Sequence, residues 1–292
     1  MAKLLPIFAI SALSAVGFGG WYSFSVLRPK DLQQYLEWQG FELASKKGGY
    51  IWKAILDEHK SIIVSRTKKL DPKEEDIESW CSSHLPSTDY ESFKDDASKI
   101  CVNNPQTVRA KIIQQDGNID SLINDSQESK DKEYRISYIF KKHIDGVLAL
   151  IGFIPPKQEL GQEIKENIKD AGKALEAWCK KSLASKPEDV LVDNVKLLCS
   201  PTKFHTVKEL IENQNEKNLL LTDGNNSSEL NAKYEEIKDK ASWTKDPDRS
   251  SFSMRVDDLK DWCEAMEKKE FSDEGIFSNI YPKFRFRCLK DK

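Results

Sequence analysis

The chain has no excess of either charge: 45 lysines and arginines face 48 aspartates and glutamates, a formal net charge of −3 over 292 residues. A dedicated nucleic-acid binder normally carries a basic face, so no nucleic-acid partner is expected. Histidine is scarce as well. His59, His84, His143 and His205 are the four present; their scattered spacing fits no metal-ligand set, and each is expected on the surface or at a helix end. There is no Gly-x-Ser-x-Gly elbow, no phosphate-binding glycine loop and no His-Glu-x-x-His, which removes the recognisable signatures of serine hydrolases, P-loop enzymes and zinc proteases. Paired acids such as Glu74-Glu75, Asp95-Asp96, Glu235-Glu236 and Asp257-Asp258 fall on helical faces expected to be solvated. No catalytic residue, cofactor or metal site is therefore expected. Cysteine is missing from everything before Cys81, which excludes a bacterial lipoprotein anchor.

The cysteines that are present follow a pattern. Trp-Cys occurs as Trp80-Cys81, Trp178-Cys179 and Trp262-Cys263, and a single further cysteine follows each copy: Cys101, Cys199 and Cys288, at 20, 20 and 25 residues. Each dipeptide sits in the same apolar stripe. Ile77, Trp80, Cys81 and Leu85 correspond to Leu175, Trp178, Cys179 and Leu183, and to Leu259, Trp262, Cys263 and Met266. That spacing puts all four side chains on one side of a helix. The tryptophans are expected in cores and the cysteines in three bridges, Cys81 to Cys101, Cys179 to Cys199 and Cys263 to Cys288, each closing a helical hairpin. Bridges place the chain in an oxidising compartment; the alternative is buried free thiols.

The N-terminus points the same way. Lys3 is followed by an uncharged stretch from Leu4 to Leu27, ended by Arg28 and Lys30, long enough to cross a hydrocarbon core of about 30 Å. Residues 1–27 are expected as a membrane anchor. The alternative is a cleaved signal, cut after Ala12-Leu13-Ser14 or Ala15-Val16-Gly17. An uncleaved anchor makes this a single-pass cell-membrane protein with its C-terminal region outside.

The remainder reads as three tandem helical modules of about four helices each: residues 28–104, 105–203 and 204–292. Thr107-Val108-Arg109-Ala110-Lys111-Ile112 opens the second as Thr206-Val207-Lys208-Glu209-Leu210-Ile211 opens the third. Pro29 to Leu36 is a diverged version of the same helix. In the second-helix position Trp52 and Ile55 match Tyr234 and Ile237. Asp71-Pro72-Lys73-Glu74 predicts a helix start with an acidic cap and proline in the first turn. The second module holds an apolar insertion near 146–156, expected as a core helix or strand; the sharper alternative is a partner-binding or membrane-touching patch. In the tail Lys283-Phe284-Arg285-Phe286-Arg287, the phenylalanines are expected to pack and the arginines to be exposed.

The alternative chemistry is thiol redox. Trp80-Cys81-Ser82-Ser83-His84 and Trp178-Cys179-Lys180-Lys181-Ser182 look like thioredoxin-type sites without their second cysteine, which would make an exported monothiol oxidoreductase using Cys81 or Cys179. Such a site should follow a buried strand, whereas the residues from Lys73 to Ser79 are charged with a helical period. Taken together, the N-terminal apolar segment, the three Trp-Cys pairs and the segments at Thr107 and Thr206 resemble the large paralogous sets of membrane-anchored proteins of haemotropic mycoplasmas. That resemblance implies membrane anchoring, surface exposure, a part in antigenic variation and no known enzymatic activity; the role expected of the chain is surface display or adhesion, with a host or cell-surface partner.

Overall fold

A computed structural model describes residues 29–124, 128–156, 167–249, 253 and 255–290. Among them the chain is mainly α, with pairing between extended segments limited to isolated antiparallel bridges. The helices are α1 (Leu32–Trp38), α2 (Ile51–Thr67), α3 (Glu74–His84), α4 (Lys94–Ile100), α5 (Val108–Asp116), α6 (Lys130–Lys141) and α7 (Val147–Leu150). They continue as α8 (Ile168–Leu183), α9 (Asp189–Leu198), α10 (Val207–Asn213), α11 (Ser227–Ile237), α12 (Ala241–Thr244), α13 (Val256–Met266) and α14 (Tyr281–Cys288). The expected anchor, residues 1–27, lies outside the described residues. Among the described residues no helix is long and apolar enough to cross a membrane.

Three of these helices start alike. The carboxylate of Asp31 accepts from the Gln34 N–H at 2.8 Å, the Thr107 hydroxyl from the Ala110 N–H at 3.1 Å, and the Thr206 hydroxyl from the Glu209 N–H at 3.3 Å. Each cap satisfies one of the amides that a helix start leaves open. The next amide is satisfied alike in all three. Leu32, Val108 and Val207 donate to the carbonyls of Ser87, Ser185 and Lys269, at 3.0, 2.9 and 3.1 Å. Each acceptor stands six residues past a Trp-Cys cysteine. The second cysteines repeat a bond as well: the carbonyls of Cys101, Cys199 and Cys288 accept from the N–H of Ala44, Ile123 and Leu221 at 2.9, 2.8 and 2.8 Å.

Contacts divide the chain into two compact units. Of the described residues, one takes those up to Leu122 together with Cys179–Leu197; the other takes Ile123–Trp178 and those from Leu198 onward. The division runs through 105–203, the segment expected as one second module.

In the first unit α1 to α4 enclose a core in which Leu32, Leu36, Ile63, Ile77 and Ile100 are wholly buried. α2 bends at His59, whose φ of −121° and ψ of 26° are not helical. α3 begins later than the sequence predicts: Lys73, not Asp71, is its cap, and the Asp76 carboxylate accepts the Lys73 N–H at 2.8 Å. Three acids, Glu74 to Asp76, fill its first turn, where the helix dipole favours them. α5 lies along α2. Ala54 meets Ala110 and Ile113, Arg109 forks onto Asp57 at 2.7 and 2.9 Å, and Glu58 takes the Gln106 N–H and the Thr107 hydroxyl at 3.0 and 2.7 Å.

The second unit has its core around Leu259, Phe271, Phe284 and Trp243. α6 joins it through Ile136 and through Phe140, whose ring meets Phe204, Phe271 and Phe277 edge-on at 4.7 to 5.0 Å. Gly172 lets α8 pass close to α6, since a Cβ there would lie 3.2 Å from the backbone nitrogen of Arg135. The apolar insertion forms neither a long core helix nor a strand. Gly146, at φ +86°, turns the chain into the four-residue α7; Val147 and Ile151 are buried, while Ile154 is 89% exposed.

Candidate functional site

The Trp-Cys positions are where chemistry was to be sought. Cys81 in α3 and Cys101 at the end of α4 are bonded, with Cα atoms 5.6 Å apart. Cys263 in α13 and Cys288 ending α14 are bonded at 5.7 Å. Cys179 and Cys199 are disulfide-bonded too, and no cysteine is free. Cys81 is 2% exposed and Cys179 wholly buried. Neither the thiolate nor the access that a monothiol mechanism needs is present in this state.

Two of the three tryptophans are covered by neighbouring side chains. Trp80 stacks on His84 at 4.2 Å and meets Phe93 edge-on at 6.0 Å. Trp262 is 2% exposed, with Arg287 over its face at 4.6 Å and Trp243 at 6.3 Å. Trp178, expected in a core, is only half-buried: among the described residues neither a ring nor a cation covers it.

The basic tail departs from its expected orientation at two positions, Phe286 and Arg287. Phe284 is buried as expected, but Phe286 is half exposed and Arg287 is buried. Arg287 donates to Asp246 at 2.6 Å and to the Ser242 carbonyl, with its plane against Trp262 and Trp243. Burial pushes the Asp246 carboxyl up; its bond from the Asp248 N–H and the Arg287 guanidinium more than offset that and hold it below the usual carboxylate range. Arg249 repeats the device, donating to Asp258 at 3.2 Å and lying over Trp243 at 4.2 Å. Arg285 pairs with Glu216 at 2.7 Å, which raises its pKa. These arginines are tied to acidic partners within the unit.

The histidines differ from one another. His84 ends α3 and His143 is exposed, as expected. His205, just before α10, meets the buried Glu133 at 2.7 Å. His59 stands at the bend of α2, where burial lowers its pKa, Glu58 opposes that and Lys99 adds to it. Its Nε2 has no hydrogen-bond partner and lies 3.6 Å from Glu58. Beside it is a void of about 10 Å³, the size of one water. Lys141 places its ammonium on the Ser200 carbonyl at 2.6 Å, past the end of α9, and burial pushes its pKa down to about 8. No group of acids, cysteines and histidines among the described residues could hold a metal ion.

A cavity of ligand size among the described residues lies elsewhere. A cleft of about 510 Å³ opens on α11, lined by Leu221, Glu229, Ala232, Lys233, Glu236 and Lys290. Sequence reasoning missed it, because α11 reads as an ordinary solvated helix. No family model matches the chain, and no curated protein or solved structure matches it.

Proposed function

We propose that this is a non-catalytic surface protein, held in the cell membrane by residues 1–27 with its C-terminal region outside. On this reading residues 28–104, 105–203 and 204–292 are three modules displayed towards a host or cell-surface partner. The observation that carries it is the occupation of all six cysteines in disulfides, a state that persists in oxidising compartments. The repeated bonds at the helix caps and at the second cysteines support three copies of one construction. Several groups that could carry chemistry are tied into structure: the thiols as bridges, the tail arginines on Asp246 and Glu216, and Lys141 on backbone carbonyls.

The test is protease treatment of intact cells, followed by detection of the C-terminal region. Loss of that region with a cytoplasmic marker intact is the expected result. Protection of residues 28–292 until the membrane is permeabilised refutes surface display.

A further inference from the structure

One internal joint has a counterpart that none of the described residues fills. α11 corresponds to α2, with Tyr234 and Ile237 in the places of Trp52 and Ile55. The segment past the second cysteine corresponds too: Asn103 donates its N–H to Glu42 at 2.7 Å, and Lys290 to Leu219 at 2.9 Å, each two residues beyond the bridge. On α2 the groove between these parts is filled by α5. Ala54 is 2% exposed beneath Ala110 and Ile113, and Gln114 donates to Asn103. On α11 the same groove is the open cleft of about 510 Å³, and Glu236, at the place of Ala54, is exposed.

α1 is the counterpart of α5. It has the same cap and the same closing bond, and it buries Leu32 and Leu36 as α5 buries Val108 and Ile112. Its other face carries Gln34, Glu37 and Trp38, all exposed, Trp38 at 66%. An exposed tryptophan beside polar groups is a common anchor in protein interfaces.

We propose that the α11 groove takes α1 of a second copy of this chain, joining chains head to tail as α5 joins α2. Transferring the internal contacts position by position sets Asp31 opposite Lys240, where Thr107 meets Glu58. Gln33 comes opposite Asp239, where Arg109 meets Asp57, and Trp38 comes over Lys290, where Gln114 meets Asn103. Two of these pairings join groups of complementary charge or hydrogen bonding, and the third sets a cation on a ring. Glu37 comes to Glu236, whose charge Lys233 and Lys240 already hold at 2.9 and 3.0 Å. The contact uses different surfaces on the two chains, so it propagates instead of closing as a twofold dimer.

The test is sedimentation velocity of the full chain in detergent over a wide concentration range. The wild type should show a sedimentation coefficient that rises with concentration. Trp38→Ala and Lys240→Glu alter exposed side chains, and each should weaken association by roughly tenfold or more with helical content unchanged. Each variant keeps one intact surface, so a mixture of the two should form dimers and nothing larger. A wild type that stays monomeric throughout overturns the proposal. So does association that neither variant weakens, which would belong to the N-terminal segment or another face, and so does a mixture that fails to dimerise.

Discussion

Replacing Arg287 by methionine probes a deeply buried charge pair in the second unit. The side chains of Asp246 and Arg287 are 0% and 3% exposed, 2.6 Å apart. Methionine keeps the aliphatic stem and leaves Asp246 without its guanidinium. Breaking such a pair by removing one partner costs about 3–5 kcal/mol. Lys283 remains 3.3 Å from Asp246 and is one-third exposed, so the lower end applies. The lost stacking on Trp262 and Trp243 adds about 1–2 kcal/mol. A total of roughly 4 kcal/mol corresponds to about 10 °C in melting temperature for a unit of this size. Scanning calorimetry should show one transition moved by that amount, with hydrogen exchange faster in α13 and α14. The pair also sets an acid response. Asp246 has a depressed pKa, so its contribution is present above the unfolded carboxylate pKa and is lost as pH falls through the folded value. In Arg287→Met that part of the acid sensitivity should shrink. A cost below about 1 kcal/mol, with the acid profile unchanged, refutes a buried pair at this position.

Alkylation of the native chain without reductant should label none of the six cysteines; labelling at Cys81 or Cys101 removes the bridge from α3 and α4. Replacing both of those cysteines by serine should cost about 3 kcal/mol on the chain-entropy model, read by urea denaturation. His59 is held below its ordinary pKa by burial, so the folded chain binds fewer protons than the unfolded one just below about pH 6.5. Stability of the first unit should therefore fall as pH drops from 7.5 to 5.5, and His59→Gln should flatten that slope; equal slopes in both proteins disprove the assignment. Gly172→Ala brings a methyl to within 3.2 Å of the Arg135 backbone; strain of about 1–3 kcal/mol from pushing α6 and α8 apart, set against about 1 kcal/mol of helix propensity gained within α8, leaves a net cost of about 0–2 kcal/mol. A net stabilisation of about 1 kcal/mol in denaturation, the full propensity gain, would mean that this crossing is loose.

What could be read in the sequence was local. Thr107-Val108 and Thr206-Val207 mark the starts of α5 and α10 because a cap acts on its own next residues. The Trp-Cys stripes stand on α3, α8 and α13 because helical period is a local property. The misplacements are long-range effects. Arg287 is buried because Asp246, 41 residues earlier, reaches it, and no spacing within the tail announces that partner. The helix carrying the tail follows a π-helical turn at Ile276–Ile280, which rotates its faces relative to a plain 3.6 period. Trp178 has the same stripe as Trp80 and Trp262, but among the described residues it lacks the neighbour that covers them. The cleft on α11 was hidden because an open groove and a solvated face have the same composition.

The bonds that close each cap onto the Trp-Cys helix, and each second cysteine onto its own loop, run between main-chain atoms. Such bonds do not depend on which side chain a residue carries, provided it is not proline at a donor. Apart from the cysteines, the caps and the apolar stripes, the chain therefore leaves its outward positions unconstrained by the closure of the fold. Substitutions can accumulate across those positions while the backbone returns to the same arrangement. A scaffold of this kind can be rewritten on its outside many times without being redesigned within.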